Sequence, residues 1–115
     1  MERFQFDPEG VALRTMLVGT LKIDPESPES KRLLQAWAAK GEKLVRSGAL
    51  DLFAWNKEEA ETYVDAGWIE GAIWVLKCAL YEAEHQQRED VISDLRTRLE
   101  GLGSNPDDLS EVSGG

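Results

Sequence analysis

From Ala60 onward, steps of alternating three and four residues land on Val64, Gly67, Gly71, Trp74, Cys78, Tyr81, His85, Arg88, Ile92, Leu95, Leu99 and Leu102. A single heptad phase thus runs to the last of these leucines with no proline to interrupt it. Its centre, Gly67–Leu80, is the most apolar run in the chain, broken only by Glu70 and Lys77. The pattern predicts a long helix from Lys57 to Leu102, capped by Asn56 and carrying Glu58, Glu59 and Glu61 at its positive end. A break in the polar interval Glu82–Asp90, with Val91–Leu102 folding back as a further helix, is the alternative.

Two helices are predicted ahead of it. Asp7-Pro8-Glu9 combines an N-cap, a proline suited to the first helical position and a favourable first-turn carboxylate. Leu13, Met16, Leu17, Thr20 and Leu21 follow at helical spacing, giving a short helix from Pro8 to about Thr20. Phe4 and Phe6 would pack ahead of its cap as a hydrophobic staple does. Ser27-Pro28 repeats the start signal, and Gly48 is a suitable stop for a helix ending at Ser47. The apolar stripe of that helix is Leu33, Leu34, Trp37, Ala38, Gly41, Leu44 and Val45. The segment 49–55 reads as a packed connection or a short helical turn, because a lone strand would have no partner.

The expected fold is all-α, a helical hairpin or small bundle forming one domain over residues 1–102. Its helices span about 8–20, 28–47 and 57–102, and a flexible acidic tail follows at 103–115. Gly67 and Gly71 would each cost about 1 kcal/mol inside a helix. Four residues apart on one face, they predict close packing against the second helix, with Gly41 as the matching contact and Leu34, Trp37 and Trp74 completing the hairpin.

Length then suggests association. A helix over 57–102 would be roughly 69 Å long, whereas a compact domain of this size has a diameter of about 35 Å. Its last third would project, exposing Ile92, Leu95, Leu99 and Leu102 as an aliphatic face that asks for a partner. That face is the expected interface, with another copy or another protein.

Composition narrows the classes. The 115 residues carry a formal net charge of −9, which argues against direct binding to nucleic acid or an anionic membrane. The second helix is the exception: Lys31, Arg32, Lys40, Lys43 and Arg46 oppose only Glu29 and Glu42. Cys78 has no cysteine to pair with, so a reducing compartment is expected. The N-terminal residues lack signal-peptide character, and Gly67–Leu80 is too short to cross a membrane. The expectation is therefore a protein that is cytoplasmic at synthesis.

Little chemistry presents itself. Glu82-x-x-His85 places a carboxylate and an imidazole on one helical face, the spacing of di-iron bundles, but such a site needs two copies of the motif and further glutamates. With one histidine in the chain, only a two-fold dimer would supply them; Glu82 and His85 are otherwise solvated residues. Cys78 lies two turns from His85 and reads as core. Trp68 and Trp74 lack the basic flanks of a base-stacking platform. Gly67-x-x-x-Gly71 lacks the Lys-Ser/Thr of a phosphate loop. No catalytic residue, cofactor or metal is assigned.

Asp7-Pro8-Glu9-Gly10, Trp37-Ala38-Ala39 and Ala66-Gly67-Trp68-Ile69 occur in a layout that resembles short acidic proteins encoded among the head, portal and packaging genes of tailed bacteriophages. The likeness covers roughly residues 5–80 and departs after Tyr81, a region that the typical short hairpin lacks. It implies a virion or assembly component working through helix packing, located in the virion or host cytoplasm, and transfers no catalytic residue. The expected function is accordingly non-enzymatic: a self-associating or partner-binding structural protein. The alternatives are an acidic regulatory protein that binds a basic protein surface, or an oligomeric metal-binding bundle centred on Glu82 and His85.

Overall fold

The computed structural model describes residues 6–105. Among them are five helices and no strand: α1 (Pro8–Ile23), α2 (Pro28–Arg46), α3 (Leu52–Asp65), α4 (Ile69–His85) and α5 (Glu89–Gly101). The all-α class holds. The single long C-terminal helix does not.

The first two helices begin where their caps place them. The Asp7 carboxylate accepts from the Gly10 amide at 2.8 Å, and the Ser27 hydroxyl accepts from the Ser30 amide at 3.1 Å. Helix α1 runs to Ile23, beyond the expected end, because the constraint comes only at Asp24, the extended residue ahead of Pro25. Helix α3 starts earlier than predicted. Its cap is Asp51, which accepts from the Phe53 amide at 3.0 Å, so of the two readings of 49–55 the helical turn describes residues 52–55, which open a longer helix. Asn56 is no cap; it sits inside α3 and donates to Glu59.

Three helices replace the predicted one. At Gly67 the backbone enters the left-handed region (φ 77°), the Trp68 amide donates back to the Tyr63 carbonyl at 2.9 Å, and the Gly67 amide donates to Val64 at 2.9 Å. This is the Schellman termination. Gln87 (φ 57°) repeats it, with Arg88 donating to Ala83 and Gln87 to Glu84. Gly48 and Gly103 close α2 and α5 in the same way. Each of the two internal reversals occupies three residues, 66–68 and 86–88. A three-residue turn equals one short step of a heptad, so the 3-4 phase passes through a chain reversal without a visible fault.

The register read from that phase is also corrected on α4. The buried positions there are Gly71, Ala72, Val75, Leu76, Lys77, Ala79, Leu80 and Ala83, mostly small and aliphatic residues, of which only Gly71 lies on the heptad phase. Trp74 and Tyr81, which the heptad placed inside, are 53% and 49% exposed.

Helices α1 and α2 form an antiparallel hairpin tied at one end by Lys40 to Asp7 (2.9 Å). Helix α3 packs on both, and Arg14 of α1 reaches Thr62 and Asp65 near its end. Helix α4 packs on α3, and α5 on α4. Lys57 pairs with Asp94 and Glu61 with Arg98. Both partners advance by four, so α3 and α5 run in the same direction. Phe6, Trp37 and Trp55 form an aromatic cluster with centroids 4.8 to 6.3 Å apart. The radius of gyration is 14.0 Å and the longest extent 34 Å, which leaves no projecting helix.

Candidate docking groove

The reversals change which residues are available. Leu95 and Leu99 are fully buried, and Ile92 and Leu102 pack against the core from partly buried positions. The expected interface face is therefore interior, because folding α5 back onto α4 covers the leucines within the chain. Of the predicted hairpin contacts, Trp37 is buried and Leu34 partly so. Gly41 is closely packed, but against the indole of Trp55; Gly71 is closely packed against the indole of Trp68. Neither glycine meets the other helix's glycine. Gly67 has open space where a Cβ would lie, so its role is conformational. Phe6 packs at a tilt against Trp37 and edge-on against Trp55, whereas Phe4 and the tail from 106 lie outside the described residues. His85 is exposed, and Glu82 accepts from the Gln86 side chain at 2.8 Å. Among the described residues no group of three or more metal-ligating side chains is arranged to hold an ion.

What the structure assembles instead is a groove between α2 and α4 with α3 as its floor. Leu34 and Ala38 come from α2, Glu59 and Tyr63 from α3, and Trp68, Ile73, Trp74 and Val75 from the turn and α4. Glu26 and Glu70 also line it. The cavity measures about 590 Å³ and opens to solvent. It continues into a second depression of about 420 Å³ between α2 and α3, lined by Val45, Leu52 and Trp55, and the two share Ala38 and Glu59. Small residues on α2 (Ala38, Gly41) keep this wall low enough for the channel to exist.

Local structure positions each side chain. The Schellman turn at Gly67 throws Trp68 back over its own helix start, where its ring lies 5.1 Å from that of Tyr63. Gly71 supplies the space it fills. Trp74 then falls one turn further along, on the side of α4 away from the Ala72–Leu76–Ala79 stripe.

Among the described residues, Glu59 is the one strongly displaced carboxyl. Burial pushes it up to about 7, against the pull of hydrogen bonds from the Asn56 amide (3.2 Å) and, more weakly, the Tyr63 hydroxyl (3.5 Å). Burial and the neighbouring Glu59 carboxylate in turn push the Tyr63 phenol up, and the same two causes push up the Cys78 thiol. No cation pairs with Glu59 among the described residues. A thiol shifted upward in this way has less of the nucleophilic thiolate at neutral pH.

Comparison with protein-family models, curated proteins and solved structures returns no match. The groove must be read from its own chemistry. Glu59 and Tyr63 are the functional candidates that the sequence pattern missed, since a glutamate in the first turns of a helix has a sufficient role at the helix dipole. The available signal was the i, i+4 pair Glu59–Tyr63 beside the exposed-spacing aromatics Trp68 and Trp74. No described helix is long and apolar enough to cross a membrane.

Proposed function

We propose that this chain is a non-enzymatic assembly or adaptor protein that engages a protein partner through the groove between α2, α3 and α4. The observation that carries this reading is Trp74: an indole 53% exposed at the edge of an open apolar channel. Large apolar side chains set around a concavity are the usual anchors of protein interfaces, and exposing one in a folded monomer has a cost in solubility that a partner relieves. Leu52, also exposed, extends the apolar lining into the adjoining depression. The setting in a phage particle or its assembly, in host cytoplasm or virion, rests on the likeness at Asp7–Gly10, Trp37–Ala39 and Ala66–Ile69. Self-association through the same groove belongs to this proposal. An interface built on Ile92, Leu95, Leu99 and Leu102 does not, since Leu95 and Leu99 are fully buried and the other two pack against the core.

Sedimentation velocity of the full chain across the micromolar range, with crosslinking to co-expressed partners, tests it. Association or partner capture that disappears in Trp74→Ala, while the helical signal and melting temperature persist, is the expected result. A chain that stays monomeric and captures nothing through Trp74 would overturn the reading.

A further inference from the structure

The groove has a chemistry more specific than its apolar lining. Besides the Tyr63 phenol, its ionisable side chains are Glu26, Glu59 and Glu70, with no lysine, arginine or histidine among the residues that line it; the adjoining depression carries Arg46, which is exposed and paired with Glu42. Two of the three are exposed and hydrated. Glu59 is partly buried, on the floor, and held in place from its own helix by Asn56 and Tyr63. Those two neutral donors leave capacity on a carboxylate that accepts about four hydrogen bonds.

Resting on the reading of this groove as a docking surface, we propose that its occupant is a partner-protein segment that seats an arginine on Glu59 and lays aliphatic neighbours along Leu34, Ile73 and Trp74. Charge complementarity sets the sign of the ligand. A recessed carboxylate without a counter-ion gains more from a cation than a hydrated surface carboxylate does, because water screens it less. The apolar walls suit the methylene stem of a long cationic side chain. Arginine fits better than lysine on two counts. Its planar fork matches a carboxylate edge, and its face stacks on an exposed indole such as Trp74. The raised protonation of Glu59 agrees with this: around it stand neutral groups (Asn56 and Tyr63 from α3, Cys78 from α4) and acidic ones (Glu26, Glu70), while Arg46 of α2, which shares the adjoining depression, is committed to Glu42. A bound guanidinium supplies the missing charge and releases the proton.

The test uses a display library of random peptides selected on the full-length protein. Selected peptides are expected to share an arginine flanked by leucine, isoleucine or valine. Replacing that arginine by the neutral isostere citrulline should weaken binding to the unmodified protein by roughly 30-fold or more, as loss of one partner of a recessed charge pair does. Glu59→Gln should weaken the arginine peptide similarly and leave the citrulline peptide unaffected, and Trp74→Ala should weaken both. Calorimetry near pH 6.5 in buffers of different ionisation enthalpy should show proton release on binding the arginine peptide only. Peptides that bind through Trp74 yet ignore both Glu59→Gln and citrulline overturn the arginine assignment and leave the docking groove standing. Lysine versions of equal affinity also overturn it, in favour of any cation. Binders indifferent to Trp74 and Glu59 overturn both readings. The citrulline comparison is made on the unmodified chain, so a variant that folds poorly does not decide the outcome.

Discussion

The indole of Trp55 occupies the space that a side chain at position 41 would need: a Cβ there would collide with Trp55 Cε2. This contact fixes how closely α3 approaches α2, and with it the depth of the channel shared by Ala38 and Glu59. Alanine would normally stabilise a helix by about 1 kcal/mol over glycine. Here the collision reverses the sign. Gly41→Ala should lose about 3 kcal/mol net, the upper range for overpacking a rigid aromatic. Urea unfolding of Gly41→Ala, Trp55→Ala and the double variant measures it; the double variant should be far less damaged than the sum of the singles.

The two chain reversals differ in one residue. Gly67 and Gln87 both lie at positive φ, where a Cβ costs roughly 1 kcal/mol. Gly67→Ala should therefore destabilise by about that amount although its Cβ meets nothing. Gln87→Gly should be neutral to stabilising, by up to about 1 kcal/mol, part of the gain being offset by a more flexible unfolded chain. Opposite signs in chemical denaturation check the pair, and equal losses would show that the turns are held by something other than backbone conformation.

Glu59 makes stability depend on pH in an identifiable direction. Its carboxyl sits at about 7 in the fold against an ordinary 4.5. Between those values the folded chain keeps a proton that the unfolded chain has released, so stability falls as pH rises through that window. The contribution is whole below about pH 4.5 and gone above about pH 7, with an upper size on the order of 3 kcal/mol. Asp94, whose hydrogen bonds and charge pairing with Lys57 and Arg98 outweigh its burial and lower its carboxyl, acts only at more acidic pH and with the opposite sign. Unfolding free energies of the native chain and Glu59→Gln from pH 4.5 to 7.5 should converge at the acid end. At the upper end the variant should be the more stable. Parallel curves would remove Glu59 as the source.

The leucines of α5 and the tryptophan of α4 should part company on substitution. Leu99, fully buried, should lose about 2 to 5 kcal/mol as alanine without altering sedimentation of the folded fraction. Trp74→Ala should change stability by about 0.5 kcal/mol or less. Thermal melts alongside sedimentation separate the two, and a dimer abolished by Leu99→Ala in a still-folded chain would contradict an interior role.

Much of the architecture follows from local chemistry alone. Asp7-Pro8 and Ser27-Pro28 place the starts of α1 and α2 because caps and N1 prolines act within one turn, and Gly48 ends α2 for the same reason. The amount and spacing of apolar residues suffice for an all-helical fold. The course of the chain after Asn56 is another matter. A three-residue reversal preserves a 3-4 hydrophobic phase, so one long helix and three short ones share the same pattern. What separates them is the left-handed backbone at Gly67 and Gln87. At Gly67 the glycine is suggestive; at Gln87 only the polar interval Glu82–Asp90, the alternative break, marks the turn that the structure makes.

The docking groove is further from the sequence still. Glu59, Tyr63 and Trp68 are close in the chain, and their pairing is local. Whether Trp74 faces the core or solvent depends on which side of α4 meets α3, and the small residues Ala72, Ala79 and Ala83 decide that by allowing closer approach than an indole does. Sequence alone determines that the chain is helical, where α1 and α2 begin, and that the helices must bury one another. Only the tertiary packing decides that the leucines at 95 and 99 are inside, that Trp74 is not, and that a carboxylate without a counter-ion lies beneath it, because each outcome depends on contacts between helices rather than on neighbours along the chain.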